Sequence, residues 1–151
     1  MAKKEEHHID PDKIHLLKIE PVEVSIAELD NLVKDEEIDV KMAHLSAYNL
    51  EDKKFLLGLD IILKLPEREP IPMSRFRYNF HFKIDNLEML YSMNEENKPV
   101  FKKIFGGTLA GISYSTLRGI IYEKTTQSSW GSLTLPVINP IKIMDTWIEL
   151  E

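Results

Sequence analysis

The residues of this chain whose types could do chemistry are its five histidines, four of its serines, two adjacent glycines and a row of basic side chains. His7 and His8 are neighbours near the start, while His15, His44 and His81 fall on three separate predicted strands. No two of them have the spacing of metal ligands, so no metal site is expected. Ser113, Ser115, Ser128 and Ser129 lack the G-x-S-x-G turn that exposes a serine nucleophile. Gly106-Gly107 ahead of a helix could cradle an anion through free N–H groups, but no Lys-Ser or Lys-Thr follows as in a phosphate-binding loop. Glu95-Glu96 and Asp35-Glu36-Glu37 read as solvated loop charge. These residue types predict a protein that is not an enzyme and holds no cofactor.

Two arrangements carry a signal of another kind. Arg75, Arg77, His81 and Lys83 share one side of an alternating stretch. They are either a solvated sheet face paired with carboxylates on neighbouring strands, or a docking surface for an acidic partner. Gly107, Gly111, Ser115 and Gly119 recur every fourth residue along a predicted helix. Each helical glycine costs about 0.5–1 kcal/mol relative to alanine, so such a stripe implies the close approach of another backbone. That backbone belongs either to the chain's own sheet or to a second subunit.

The elements that must position these residues are legible from periodicity. A polar, charged start over residues 1–12 reads as a disordered tail, and 13–151 as a single domain. Residues 14–26 (IHLLKIEPVEVSI) alternate with Leu17 and Ile19 before Pro21, then Val22, Val24 and Ile26 after it. A change of phase at a proline predicts a bulged edge strand. Leu29 to Glu37 is a polar connection to a second strand over 38–48. The third strand puts Phe55, Leu57, Leu59, Ile61, Leu63 and Leu65 on one face. PEREPIPM must be a loop, and in the fourth strand Phe76, Tyr78, Phe80, Phe82 and Ile84 oppose the basic row. Four strands joined by short links predict an antiparallel meander or a variant of it. After Pro99 the period changes: Val100, Phe101, Ile104 and Phe105 form an amphipathic turn ahead of Gly106-Gly107. Leu109, Ile112, Leu117, Ile120 and Ile121 then mark a helix to Lys124. Asn139 as cap and Pro140 at the first position start a last helix carrying Ile141, Ile143, Met144, Trp147 and Ile148. Strands followed by helices predict an α+β fold, a four-stranded antiparallel sheet with two helices packed on one face.

The 151 residues suffice for one domain burying about 70% of its unfolded surface. Cysteine is absent, which removes disulfides, thiolate metal sites and a cysteine nucleophile together and suits a cytoplasmic protein. A net charge of -6 argues against nucleic acid, which needs a cationic footprint. No run approaches the roughly 18 apolar residues of a membrane span, so membrane insertion is not expected.

The segment ISYSTLRGIIYEKTTQSSWGSLTLPVINPIKIM, Ile112 to Met144, resembles the C-terminal half of the SecB-type export chaperones. There a long helix of the ISYSTLRGII kind ends at a turn and leads into an L-x-L-x-P-V-N-like segment and a last helix. IHLLKIEPVEVSI resembles the family's first strand, DVKMAHLSAYNLEDKKFLLGLDIILKL its second and third, and SRFRYNFHFKIDNLEML its fourth. The resemblance implies a SecB-like holdase that works without ATP and assembles as a dimer or a dimer of dimers, with the glycine stripe at a subunit interface. It also implies apolar grooves for unfolded polypeptide clients, walled by Leu29, Leu32 and Val33 of the first crossover and by Ile141, Ile143, Met144 and Trp147. Apart from the resemblance, these residues read equally as core and interface. In the family the sheet face offered to the ATPase SecA is acidic; the basic row here speaks against SecA docking. The alternative is an oligomeric adaptor on the same fold that docks one folded partner. A small-ligand protein would instead require an enclosed pocket with converging polar groups.

Overall fold

A computed structural model describes residues 9–145. Ile14–Ser25 (β1), Asp39–Asn49 (β2), Lys54–Lys64 (β3) and Met73–Ile84 (β4) form one antiparallel sheet in the order β1-β4-β3-β2. β2, β3 and β4 are a meander and β1 returns to the far side of β4, which is a Greek-key arrangement. The β2–β3 turn is fixed by Asn49, whose Oδ1 accepts the Asp52 N–H at 3.0 Å while its Nδ2 donates to the Asp52 carboxylate.

β3 and β4 are central, and their helix-side residues are buried as the alternation predicts. Leu57, Leu59, Ile61, Leu63, Phe76 and Phe80 lose all contact with solvent, each stabilising the fold by about 1.5–3 kcal/mol. Lys103–Thr126 (α1) lies on this face and contributes Phe105, Leu109, Ala110, Leu117 and Ile121.

Three details differ from the sequence reading. β1 carries two bulges, between Leu16 and Lys18 and between Pro21 and Glu23, not one at the proline. The helix-side set is therefore Ile14, Leu16, Ile19, Pro21 and Val24, opposite Ile84, Phe82, Phe80, Tyr78 and Phe76, while Leu17 and Val22 are the extra residues. Val100 and Phe101 do not open the helix. Tyr91–Met93 (β5) and Pro99–Phe101 (β6) form a small hairpin, whose turn is held by Asn94 Oδ1 accepting the N–H groups of Glu96 and Lys98. Phe101 then stacks edge-on with Tyr48, Phe55 and Tyr91 at 5.2–5.6 Å between ring centroids. α1 also runs unbroken through Gly106-Gly107, because both glycines are covered by other parts of the chain.

Beyond α1, the Trp130 indole N–H donates to the Ala27 carbonyl at 2.8 Å and ties the helix end to the β1–β2 crossover. Leu133 and Leu135 are buried, and the Tyr114 hydroxyl donates to the Pro136 carbonyl. The segment thus travels back along α1 and delivers Pro140–Asp145 (α2) to the N-terminal part of that helix. Asn139 caps α2 as expected, its Oδ1 accepting the Ile141 N–H at 3.1 Å.

Candidate functional site

On the outer sheet face, β4 presents Arg75, Arg77, His81 and Lys83 in sequence. The Arg75 guanidinium grips the buried Asp60 carboxylate with Nε at 3.0 Å and Nη2 at 2.6 Å, and lies 3.4 Å from Glu23 on β1. His81 Nε2 is 3.1 Å from Glu20 Oε1. Hydrogen bonding to His81, then to Lys18 and Asn79, holds the Glu20 carboxyl below the ordinary range. Arg77 faces Glu23 in register, and Lys83 stands at the strand end between His15 and Lys54. The row is thus half engaged with carboxylates of the same sheet and half open.

The small-residue stripe divides into two environments. A Cβ on Gly107 would meet Ile141 Cγ1 at 2.8 Å, and one on Gly111 would meet Pro140 Cγ at 3.2 Å. This half of the stripe accommodates α2, not the sheet beneath. Ser115 is exposed, and around Gly119 a Cβ would meet nothing within 4 Å. With Ile112 and Tyr122 they make an exposed strip at i, i+3 and i+4 spacing.

The two sets of residues expected to wall a client groove lie at opposite ends of α1. In the crossover, Leu29 and Val33 pack on the core while Leu32 is 62% exposed. The Leu29 N–H donates to Ser129 Oγ at 3.0 Å, beyond the C-terminal end of α1. Arg68 latches the same connection, donating to Glu36 at 2.7 Å and to the Asn31 and Leu32 carbonyls at 2.9 and 3.2 Å. Ile143 is buried, Met144 is half-buried near Gly106, and Ile141 is exposed beside Gly107, all near the N-terminal end of α1. Trp147 lies outside the described residues. From Gly107 to Thr126 the helix rises roughly 28 Å at 1.5 Å per residue, so the sets do not form one wall.

A different set does. Between β1 and α1 is a hollow of ≈ 430 Å³ with Ile14, Leu16, Phe82, Thr108 and Ile112 in its walls. A second hollow of ≈ 370 Å³ adjoins it, sharing Thr108 and Ile112 and reaching Gly107, Gly111, Pro140 and Ile141. Together they make an apolar furrow from the edge strand across α1 to α2. Further along β1, α1 leaves Ile19 and Val24 uncovered, at 39% and 38% exposure. Leu16 and Thr108 escaped the sequence reading because the bulge at Leu17 displaces the alternation and Thr108 sits in a polar gap of the helix pattern. Among the described residues no group of three His, Asp or Glu could hold a metal ion, and no helix is long and apolar enough to cross a membrane.

No protein-family model matches the sequence, and no curated protein does. Among solved structures, the chain is similar to the SecB-like chaperone Rv1957 of Mycobacterium tuberculosis, in complex with a ChAD peptide from the Rv1956 HigA1 antitoxin. The TM-score is 0.60 over 84% of this chain and 91% of that one, at 12% identity. The fold is therefore SecB-like, an α+β domain with a four-stranded antiparallel sheet and helices.

Proposed function

We propose that this protein is a SecB-like chaperone that holds polypeptide segments in the apolar furrow between β1, α1 and α2. The observation that carries the reading is the continuity of that furrow with a free strand edge. Apolar side chains of a client would be buried in the furrow while its backbone adds to the β1 edge. Both contacts are indifferent to sequence, as binding of non-native chains requires. The similarity to a chaperone that carries a peptide supports the choice of ligand class. A homo-oligomer belongs to the same reading, because the exposed strip Ile112, Ser115, Gly119 and Tyr122 offers a second protomer a nearly flat helix surface. The protein would act without ATP or a cofactor.

An adaptor with one dedicated partner is the second reading. It is favoured by the separation of the crossover set from the α2 set, which shortens the apolar surface available to any one segment. Suppression of aggregation of a chemically unfolded model protein, with the oligomer mass recorded in the same buffer, decides between them. Suppression near stoichiometry without ATP is the expected outcome. A stable oligomer that leaves aggregation unchanged would replace the holdase with the adaptor.

A further inference from the structure

The outer face of the sheet, on the side opposite the furrow, carries a second apolar depression. It has a volume of ≈ 370 Å³, with Leu17, Ala47 and Leu56 in its floor and Lys18, Lys54 and His81 at its margin. The bulge that removes Leu17 from the helix-side alternation leaves it 54% exposed here. Leu45, one pair along from Ala47 on β2, extends the apolar floor and is also exposed.

The charge around the depression is opposite to that of the whole chain, which is -6. Lys54 and Lys83 are directly paired across β3 and β4, an arrangement that is destabilising for like charges. Among the described residues neither lysine has a carboxylate within 4 Å. Glu20 is taken up by His81 and Lys18 at the same margin, and Asp85 by His15 at 2.9 Å, which leaves the lysine pair without a partner of its own. An apolar floor beside two lysines that have no carboxylate partner is complementary to an apolar side chain accompanied by carboxylates. The depression is open to solvent along its length, which suits a segment of polypeptide laid across it more than a small molecule, whose surface needs enclosure.

We propose that this face is a docking site for an acidic polypeptide segment with a large apolar residue at its centre, seated on Leu17 and Leu56 beside the Lys54 and Lys83 pair. It is separate from the furrow, so a client and an acidic partner can be held at once.

The test uses the full-length protein and a fluorescein-labelled probe peptide with a central leucine flanked on both sides by Asp and Glu. Its counterpart has Lys at every acidic position. Fluorescence anisotropy at low ionic strength is expected to show the acidic probe binding at least about tenfold more tightly than the lysine counterpart, with affinity falling as salt is raised. Lys54→Glu with Lys83→Glu should weaken the acidic probe about tenfold. Leu56→Gln should weaken it as well, with the urea midpoint of the lysine double variant unchanged. Suppression of aggregation should survive in that double variant, which separates failure of this site from failure of the furrow. Equal binding of the two probes would overturn the proposal, as would unchanged affinity in the double variant. A change of oligomer mass in that variant would assign the face to a contact between copies and overturn it too. So would binding of dodecanoate without binding of the acidic probe, which would make the depression a fatty-acid site.

Discussion

At the scale of single residues, the outer sheet face is organised by one buried charge. Asp60 is 1% exposed in the middle of β3, and Arg75 supplies both of its hydrogen bonds before reaching on to Glu23. The three side chains thereby fasten β3, β4 and β1 together. A buried pair contributes little over an apolar replacement, but removing one partner leaves an uncompensated charge. Arg75→Met is therefore expected to cost about 3 kcal/mol in urea denaturation. Combined with Asp60→Leu, it should cost less than the sum of the single changes, and additive costs would mean that the two side chains are not coupled. His44, on the helix side of β2, is also buried, at 2% exposure. Burial pulls its pKa below the usual value of 6.5, so below that pH the unfolded chain takes up a proton that the folded chain refuses. Stability must then decline as the pH falls below about 6.5. The urea midpoint is expected to drop between about pH 7.5 and about pH 5.5, and to drop less in His44→Gln. Equal slopes would remove His44 from the account.

At the scale of elements, α1 depends on which neighbour each small residue serves. Gly107→Val would drive a side chain into Ile141 and should detach α2, read as faster amide exchange over residues 140–145 with exchange of the sheet unchanged. Gly119 has open space around it, so Gly119→Ala should stabilise the protomer by about 0.5–1 kcal/mol through helix propensity alone. If the stripe meets a second subunit there, Gly119→Leu would lower the oligomer mass without loss of helix content. The sequence made β3, β4 and the cap of α2 legible because period and local chemistry agree in them. Phe55 to Leu65 keeps an apolar residue at every second position, and Asn139-Pro140 needs no distant partner. β1 was legible as an edge strand but not in phase, since two extra residues shift the alternation twice within 12 residues. The hairpin β5–β6 was hidden for another reason: three residues per strand give no period to read, and its pairing is rewarded by the aromatic cluster around Phe101. The division of the glycine stripe between α2 and solvent was beyond local pattern altogether, because α2 reaches Gly107 only after the chain has doubled back along the helix.

At the scale of the whole molecule, the two faces of one sheet present opposite surfaces. The helix side offers an apolar furrow beside a free edge, and the outer side an apolar patch beside two unpaired lysines. Ile19→Lys with Val24→Lys should abolish suppression of aggregation while leaving far-ultraviolet circular dichroism intact, because both side chains are already part-exposed on an edge strand. Retained suppression would move the client surface away from β1. The Greek-key order also sets a timetable. Asn49 meets Lys54 across a tight turn, whereas Ser25 meets Arg75 only when a loop roughly ten times longer closes, at about 2 kcal/mol of additional chain entropy. During synthesis β1 leaves the ribosome before β4 exists, so it waits unpaired and docks after the meander has formed. Held by one neighbour, it can also be released again without breaking the centre of the sheet. The protein that shelters other chains through this strand must itself pass through a stage in which the same strand is unsheltered.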